Sequence, residues 1–161
     1  MNSGRHTVPT FVAACLVALG LIGGASQLSA QAKSLVNVDA QGVGAHGYDP
    51  VAFYTEGKAV KVDPQYQSKD AGATYYFQSA ADKAAFDKEP AKYAPQYGGY
   101  CAMAMTMTKL EDVDPNFFLV YDGKLFLQRN EKAHMMFSKD PEGNHKMADG
   151  NWAKRQEEAS R

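Results

Sequence analysis

Cysteine is nearly absent from this chain. Its 161 residues hold two, Cys15 and Cys101, and the first lies in a segment that reads as removable. There is no Cys-x-x-Cys pair, no His-Glu-x-x-His run and no glycine-rich phosphate loop. Their absence removes dithiol redox chemistry, helix-borne zinc hydrolysis and P-loop nucleotide binding from the candidates. An excess of one charge is lacking too: 17 Lys and Arg stand against 18 Asp and Glu, a net charge of −1. Nucleic acids and anionic membrane surfaces select basic faces, so neither is an expected partner. The one long apolar run, Phe11 to Ile22, falls short of the ~20 residues a spanning helix needs.

That run has a role of its own. Arg5 and His6 precede it, and the small residues Gly23-Gly24-Ala25-Ser26 follow. This is the three-part layout of a secretory signal peptide, with Ala30-Gln31-Ala32 or Leu28-Ser29-Ala30 as the small-x-small cleavage site. Val12-Ala13-Ala14-Cys15 has the outline of a lipoprotein box, but the apolar run continues past the cysteine, which argues against lipidation. The expected organisation is a signal peptide and cleavage region over 1–32, an N-terminal arm over 33–46 and one domain over 47–161. The expected location is periplasmic or secreted, without stable membrane insertion after cleavage. Because the first 32 residues carry one basic group and no acid, the remainder has sixteen basic and eighteen acidic residues, a net charge of −2. In an oxidising compartment cysteines usually pair. Cys101 has no intrachain partner there, so its thiol is buried, bridged to another molecule or held by a metal.

Local patterns predict an α+β domain: a small antiparallel β-sheet with one central helix and C-terminal helices. Val51 to Tyr54 reads as a strand after the turn former Asp49-Pro50, and Ala59 to Val62 as a second. Tyr66 to Lys69 and Ala73 to Gln78 flank the turn Asp70-Ala71-Gly72. Ser79 is placed to cap a helix running to about Lys88, which Pro90 ends. Gly98-Gly99 marks unusual backbone angles or a close approach. Asp122-Gly123 between Phe117–Tyr121 and Lys124–Leu127 is the favoured two-residue hairpin turn. Asn130 is placed to cap a helix to about Lys139, and Asp140-Pro141 to start another toward Trp152.

The richest chemistry lies in Cys101-Ala102-Met103-Ala104-Met105-Thr106-Met107, where sulfur recurs at every second residue. In an extended strand all four sulfurs would project from one face, about 6.6 Å apart. Thiolate and thioether donors favour Cu(I). The candidate ligands are therefore Cys101, Met103, Met105 and Met107, with His134 of the His134-Met135-Met136 cluster as a nitrogen donor. The competing reading is that the methionines fill an irregular core. A second candidate site is a small-molecule pocket walled by Tyr48, Tyr93, Tyr97 and Tyr100, each an apolar ring with a hydroxyl. A thiol enzyme would need Cys101 activated by His46, His134 or His145; the chain is not expected to be an enzyme.

Three segments carry a family resemblance. They are Gly47-Tyr48-Asp49-Pro50-Val51-Ala52-Phe53-Tyr54, Tyr75-Tyr76-Phe77-Gln78-Ser79 with Phe86, and Pro90 to Ala102 with its Tyr-Gly-Gly-Tyr-Cys run. In these the chain resembles the YHS domain family in its stand-alone exported form. The resemblance implies a small β-rich module with a helix and a metal-handling role. Where cysteine-bearing members place thiols, this chain has Ala52, Gln78 and Asp82, so that ligand set does not carry over. The combined expectation is an exported binding protein that carries or buffers a soft metal, Cu(I). Its alternative is a small-molecule or protein-interaction module whose sulfur face is core, with the protein partner unspecified.

Overall fold

The computed structural model describes residues 35–161; the expected signal peptide and Cys15 lie outside them. The elements are α1 (Ala52–Thr55), β1 (Tyr66–Asp70), β2 (Ala73–Phe77), α2 (Ala80–Lys88), α3 (Pro90–Tyr93), α4 (Ala102–Met105), β3 (Asp114–Tyr121), β4 (Lys124–Gln128), α5 (Glu131–Lys139) and α6 (Pro141–Ala159), with single 3₁₀ turns at Ala45–Gly47 and Gln96–Gly99. The class is α+β. Its strands form two antiparallel hairpins, β1–β2 and β3–β4.

Both hairpins close on two-residue turns whose central residues have positive φ: Ala71 and Gly72, then Asp122 and Gly123. Such turns match the right-handed twist of the strands they join. β3 carries an irregularity between Asp114 and Phe118, and from Phe118 onward it pairs in register with Leu127 to Lys124. The caps form as the sequence indicates. Ser79 accepts the Asp82 N–H at 3.0 Å, Asn130 the Ala133 N–H at 2.9 Å, and Asp140 the Gly143 N–H at 2.9 Å.

Two expected strands are absent. Val51–Tyr54 turns into α1 because Asp49, fully buried, accepts the N–H groups of Val51 (2.8 Å) and Ala52 (3.4 Å) with Oδ1. That is helix-start chemistry, with Pro50 compatible with a first turn. The segment Ala59–Val62 contributes only an isolated bridge, Lys61 to Tyr48.

β4 divides the interior. Its alternation sends Leu125 and Leu127 into a core with Val51, Phe53, Tyr75, Phe77, Phe86 and Tyr93. Phe126 points the other way, into a core with Tyr97, Ala102, Met105, Phe137 and Ala148. Leu125, Phe126, Leu127 and Gln128 are all fully buried, so both faces of this strand are covered. The arm from Leu35 lies against the Gln96–Gly99 turn, where the Asn37 N–H donates to the Gly98 carbonyl at 2.8 Å. Gly98 has φ +60°, and a β-carbon there would overlap the Leu35 carbonyl oxygen. Here the glycine permits both the angle and the approach.

Candidate sulfur-lined site

The sulfur run is not a strand. Ala102–Met105 is one helical turn, with Cys101 at its N-cap and a further turn after it. The reason lies in tertiary contact. Gln128, on the same face of β4 as Phe126, turns its Oε1 to the Met103 N–H (3.0 Å) and to the Cys101 thiol (3.5 Å). The Cys101 N–H donates to the Glu111 carbonyl at 2.9 Å, and Thr106 Oγ1 donates to the Met103 carbonyl at 2.8 Å. These bonds hold a turn whose N-cap, Cys101, makes no side-chain capping bond.

Helical geometry then redistributes the sulfurs. Residues two apart diverge by about 200°, while residues four apart share a face. Met105 is fully buried in the core around Phe126 and Phe137, so the structure separates it from the other three. Cys101, Met103 and Met107 line one cavity of about 230 Å³, and Met136 of α5 joins them. Three of the four sulfur-bearing residues of the run thus line one cavity: Met103 and Met107 are four residues apart, and Cys101 reaches it from the non-helical N-cap. Met136 is the residue that sequence reasoning missed. Its signal was legible: on a helix capped by Asn130, Met136 lies one turn beyond Ala133, which also lines the cavity.

His134 does not line this cavity. It is half-buried, and its Nδ1 has no hydrogen-bond partner. Met135 is exposed. The polar side of the cavity carries the Glu111–Arg129 ion pair and Lys132. Cys101 is fully buried. Burial pushes its thiol above its ordinary value, against the opposing pull of the backbone at Ala104, Arg129 and Met103. A metal bound at this sulfur would displace the thiol's proton.

The donor set is soft: one thiol and three thioethers from two elements. Among the described residues, no three His, Cys, Asp or Glu side chains gather as a metal-binding group. The chemistry open to this cavity is coordination of a thiophilic d¹⁰ ion such as Cu(I), which tolerates low and irregular coordination.

The four tyrosines do not share a pocket. Tyr93 is buried in the first core and meets Tyr54 edge-on at 5.3 Å. Tyr48 packs partly buried on the same core, and its hydroxyl accepts from Asn116 at 3.4 Å. Tyr100 donates to the Val36 carbonyl at 3.5 Å. Tyr97 alone lines a cavity of about 340 Å³, with Tyr75, Pro95 and Trp152. Its hydroxyl donates to Asp149 Oδ1 at 3.0 Å; burial first and the Asp149 charge second push its ionisation far up. Asp149 Oδ2 lies 3.0 Å from His145 Nε2, and that same nitrogen lies 3.1 Å from Lys124 Nζ.

The histidines have other company than Cys101. His46 Nε2 sits 2.7 Å from Asp112 Oδ1, a carboxylate that also accepts from Asn37 at 2.8 Å. Burial pushes Asp112 upward, but the hydrogen bonds from Asn37, His46 and the Val113 N–H hold it below the usual carboxylate range. No helix among the described residues is long and apolar enough to cross a membrane. Comparison with protein-family models, with curated proteins and with solved structures returns no match to this chain.

Proposed function

We propose that the chain is an exported, non-catalytic binding protein of YHS type that carries or buffers a soft metal ion, Cu(I), in the cavity between α4 and α5. The observation that carries this reading is the convergence of Cys101, Met103, Met107 and Met136 on one cavity. Cys101 anchors the ion as thiolate and the thioethers complete its shell. A buried thiolate paired with a monovalent cation is neutral overall, so burial opposes it far less than it opposes the bare thiolate. The cavity volume leaves room for a small accompanying ligand, yet it lies below the range of ordinary drug-sized pockets.

Anaerobic Cu(I) titration of the mature protein tests the reading. The expected result is one bound ion, with affinity lowered about a hundredfold in Cys101→Ser combined with Met103→Leu. Met105→Leu should leave affinity unchanged and cost under ~1.5 kcal/mol of stability. Binding releases the thiol proton, so apparent affinity should climb by about tenfold per pH unit below the thiol's raised pKa. An affinity indifferent to both pH and the double substitution removes the site.

A second reading rests on the cavity beside Tyr97. Its aromatic walls suit a small apolar molecule, in which case the sulfur-lined cavity serves packing alone. A ligand displaced by Tyr97→Ala, with no Cu(I) bound, would favour it.

A further inference from the structure

The large apolar side chains exposed among the described residues are all methionines: Met107 (53%), Met135 (53%), Met136 (43%) and Met147 (55%). No exposed Leu, Ile, Phe or Trp accompanies them. Two of the four, Met107 and Met136, line the sulfur cavity. The other two cavity sulfurs are sheltered. Cys101 has no exposed surface, and Met103 is partly buried against the cluster of Cys101, Ala104 and Ala133. The site therefore has a solvent half made of thioethers and a protected half that contains the thiol.

Thioether and thiol differ in what an oxidant does to them. Peroxides attack an exposed thioether directly. They attack a cysteine through its thiolate, and Cys101 has no exposed surface at which to meet one.

We propose that Met107 and Met136 are modification sites through which a peroxide regulates the cavity, an inference that rests on the soft-metal reading above. The sulfur lone pair attacks one peroxide oxygen and the O–O bond breaks. A sulfur–oxygen bond forms and the other oxygen leaves as water. Sulfur loses two electrons and the peroxide gains them. The product presents a hard oxygen in place of a soft thioether, and a d¹⁰ ion loses two of its four donors. The fold is spared, because Met105, the methionine on which the second core depends, has no exposed surface. The lesion is reversible by methionine sulfoxide reductases, so the same protein can release its ion under oxidation and regain the capacity to hold it.

The test treats the metal-free mature protein with hydrogen peroxide, removes the excess with catalase and maps the sulfoxides by mass spectrometry. Binding is then measured with Ag(I), a soft d¹⁰ ion that peroxide does not convert. Met107, Met135, Met136 and Met147 should gain oxygen before Met103 and Met105. Affinity for Ag(I) should fall by about tenfold or more, with the far-ultraviolet spectrum unchanged. Sulfoxide reductase should restore it, whereas a thiol reductant should not.

Met135→Leu with Met147→Leu should leave this sensitivity intact. Met107→Leu with Met136→Leu should start weaker and lose nothing further on oxidation. An unchanged affinity after full conversion at Met107 and Met136, or an equal fall in the Met107/Met136 variant, overturns the inference while leaving the soft-metal reading standing. Failure of the untreated protein to bind Ag(I) overturns both.

Discussion

Asp49→Ala is expected to lower stability by about 3–5 kcal/mol, read as the midpoint of urea unfolding followed by circular dichroism. Asp49 is fully buried, and its two oxygens accept the N–H groups of Val51 (2.8 Å), Ala52 (3.4 Å) and Gln78 (2.9 Å). It thus starts α1 and ties that helix to the end of β2. Truncation leaves the buried Val51 and Ala52 donors and the part-buried Gln78 donor without this acceptor, at roughly 1–3 kcal/mol for each buried one and not strictly additive. Burial pushes the carboxyl up, while the amides of Gln78, Val51 and Ala52 pull it down. Asp49→Asn keeps one acceptor oxygen and should lose about half as much. A loss below ~1 kcal/mol in the alanine variant would mean the amides find water, and the assigned role would fail.

Phe126→Ala should lose about 4 kcal/mol in the same measurement. Phe126 lies 5.2 Å from Phe137, 6.0 Å from Tyr97 and 5.1 Å from His145, ring centre to ring centre. It is fully buried on a strand covered on both sides, so the vacated volume cannot collapse without moving Met105 or Phe137. Phe126→Leu should keep most of the stability, with a loss near ~1.5 kcal/mol. Equal losses in the two variants would show that ring volume is not what the second core needs.

These two residues also mark how far the sequence alone reached. The Asp122-Gly123 hairpin, the caps at Ser79 and Asn130 and the helix start at Asp140-Pro141 are legible, because each depends on chemistry within four residues. Val51–Tyr54 reads as a strand because Val, Phe and Tyr favour β structure, whereas in the fold the buried Asp49 accepts from Val51 and Ala52 and starts a helix there. The sulfur run failed for a related reason. Alternation of Ala or Thr with Met fits a strand, but Ala and Met are also good helix formers. The deciding bonds come from Gln128 and Glu111, whose proximity no local pattern announces. A two-residue period places all four sulfurs of the run on one face, whereas the single turn over Ala102–Met105 sends Met105 into the second core and leaves Cys101, Met103 and Met107 on the cavity. Met136 reaches the same cavity from α5, a tertiary approach that the pattern of the run does not encode.

The contacts of His145 bear on how the last helix is attached. Its Nε2 faces an ammonium and a carboxylate at nearly equal range, yet a neutral imidazole nitrogen either bears hydrogen or offers a lone pair. Bearing hydrogen, it serves Asp149 and leaves Lys124 unrequited; offering the pair, it takes the ammonium and turns away the acid. The latch between the β3–β4 tip and the final helix therefore turns on a single ring nitrogen, which in either neutral tautomer serves one of these two partners and not both.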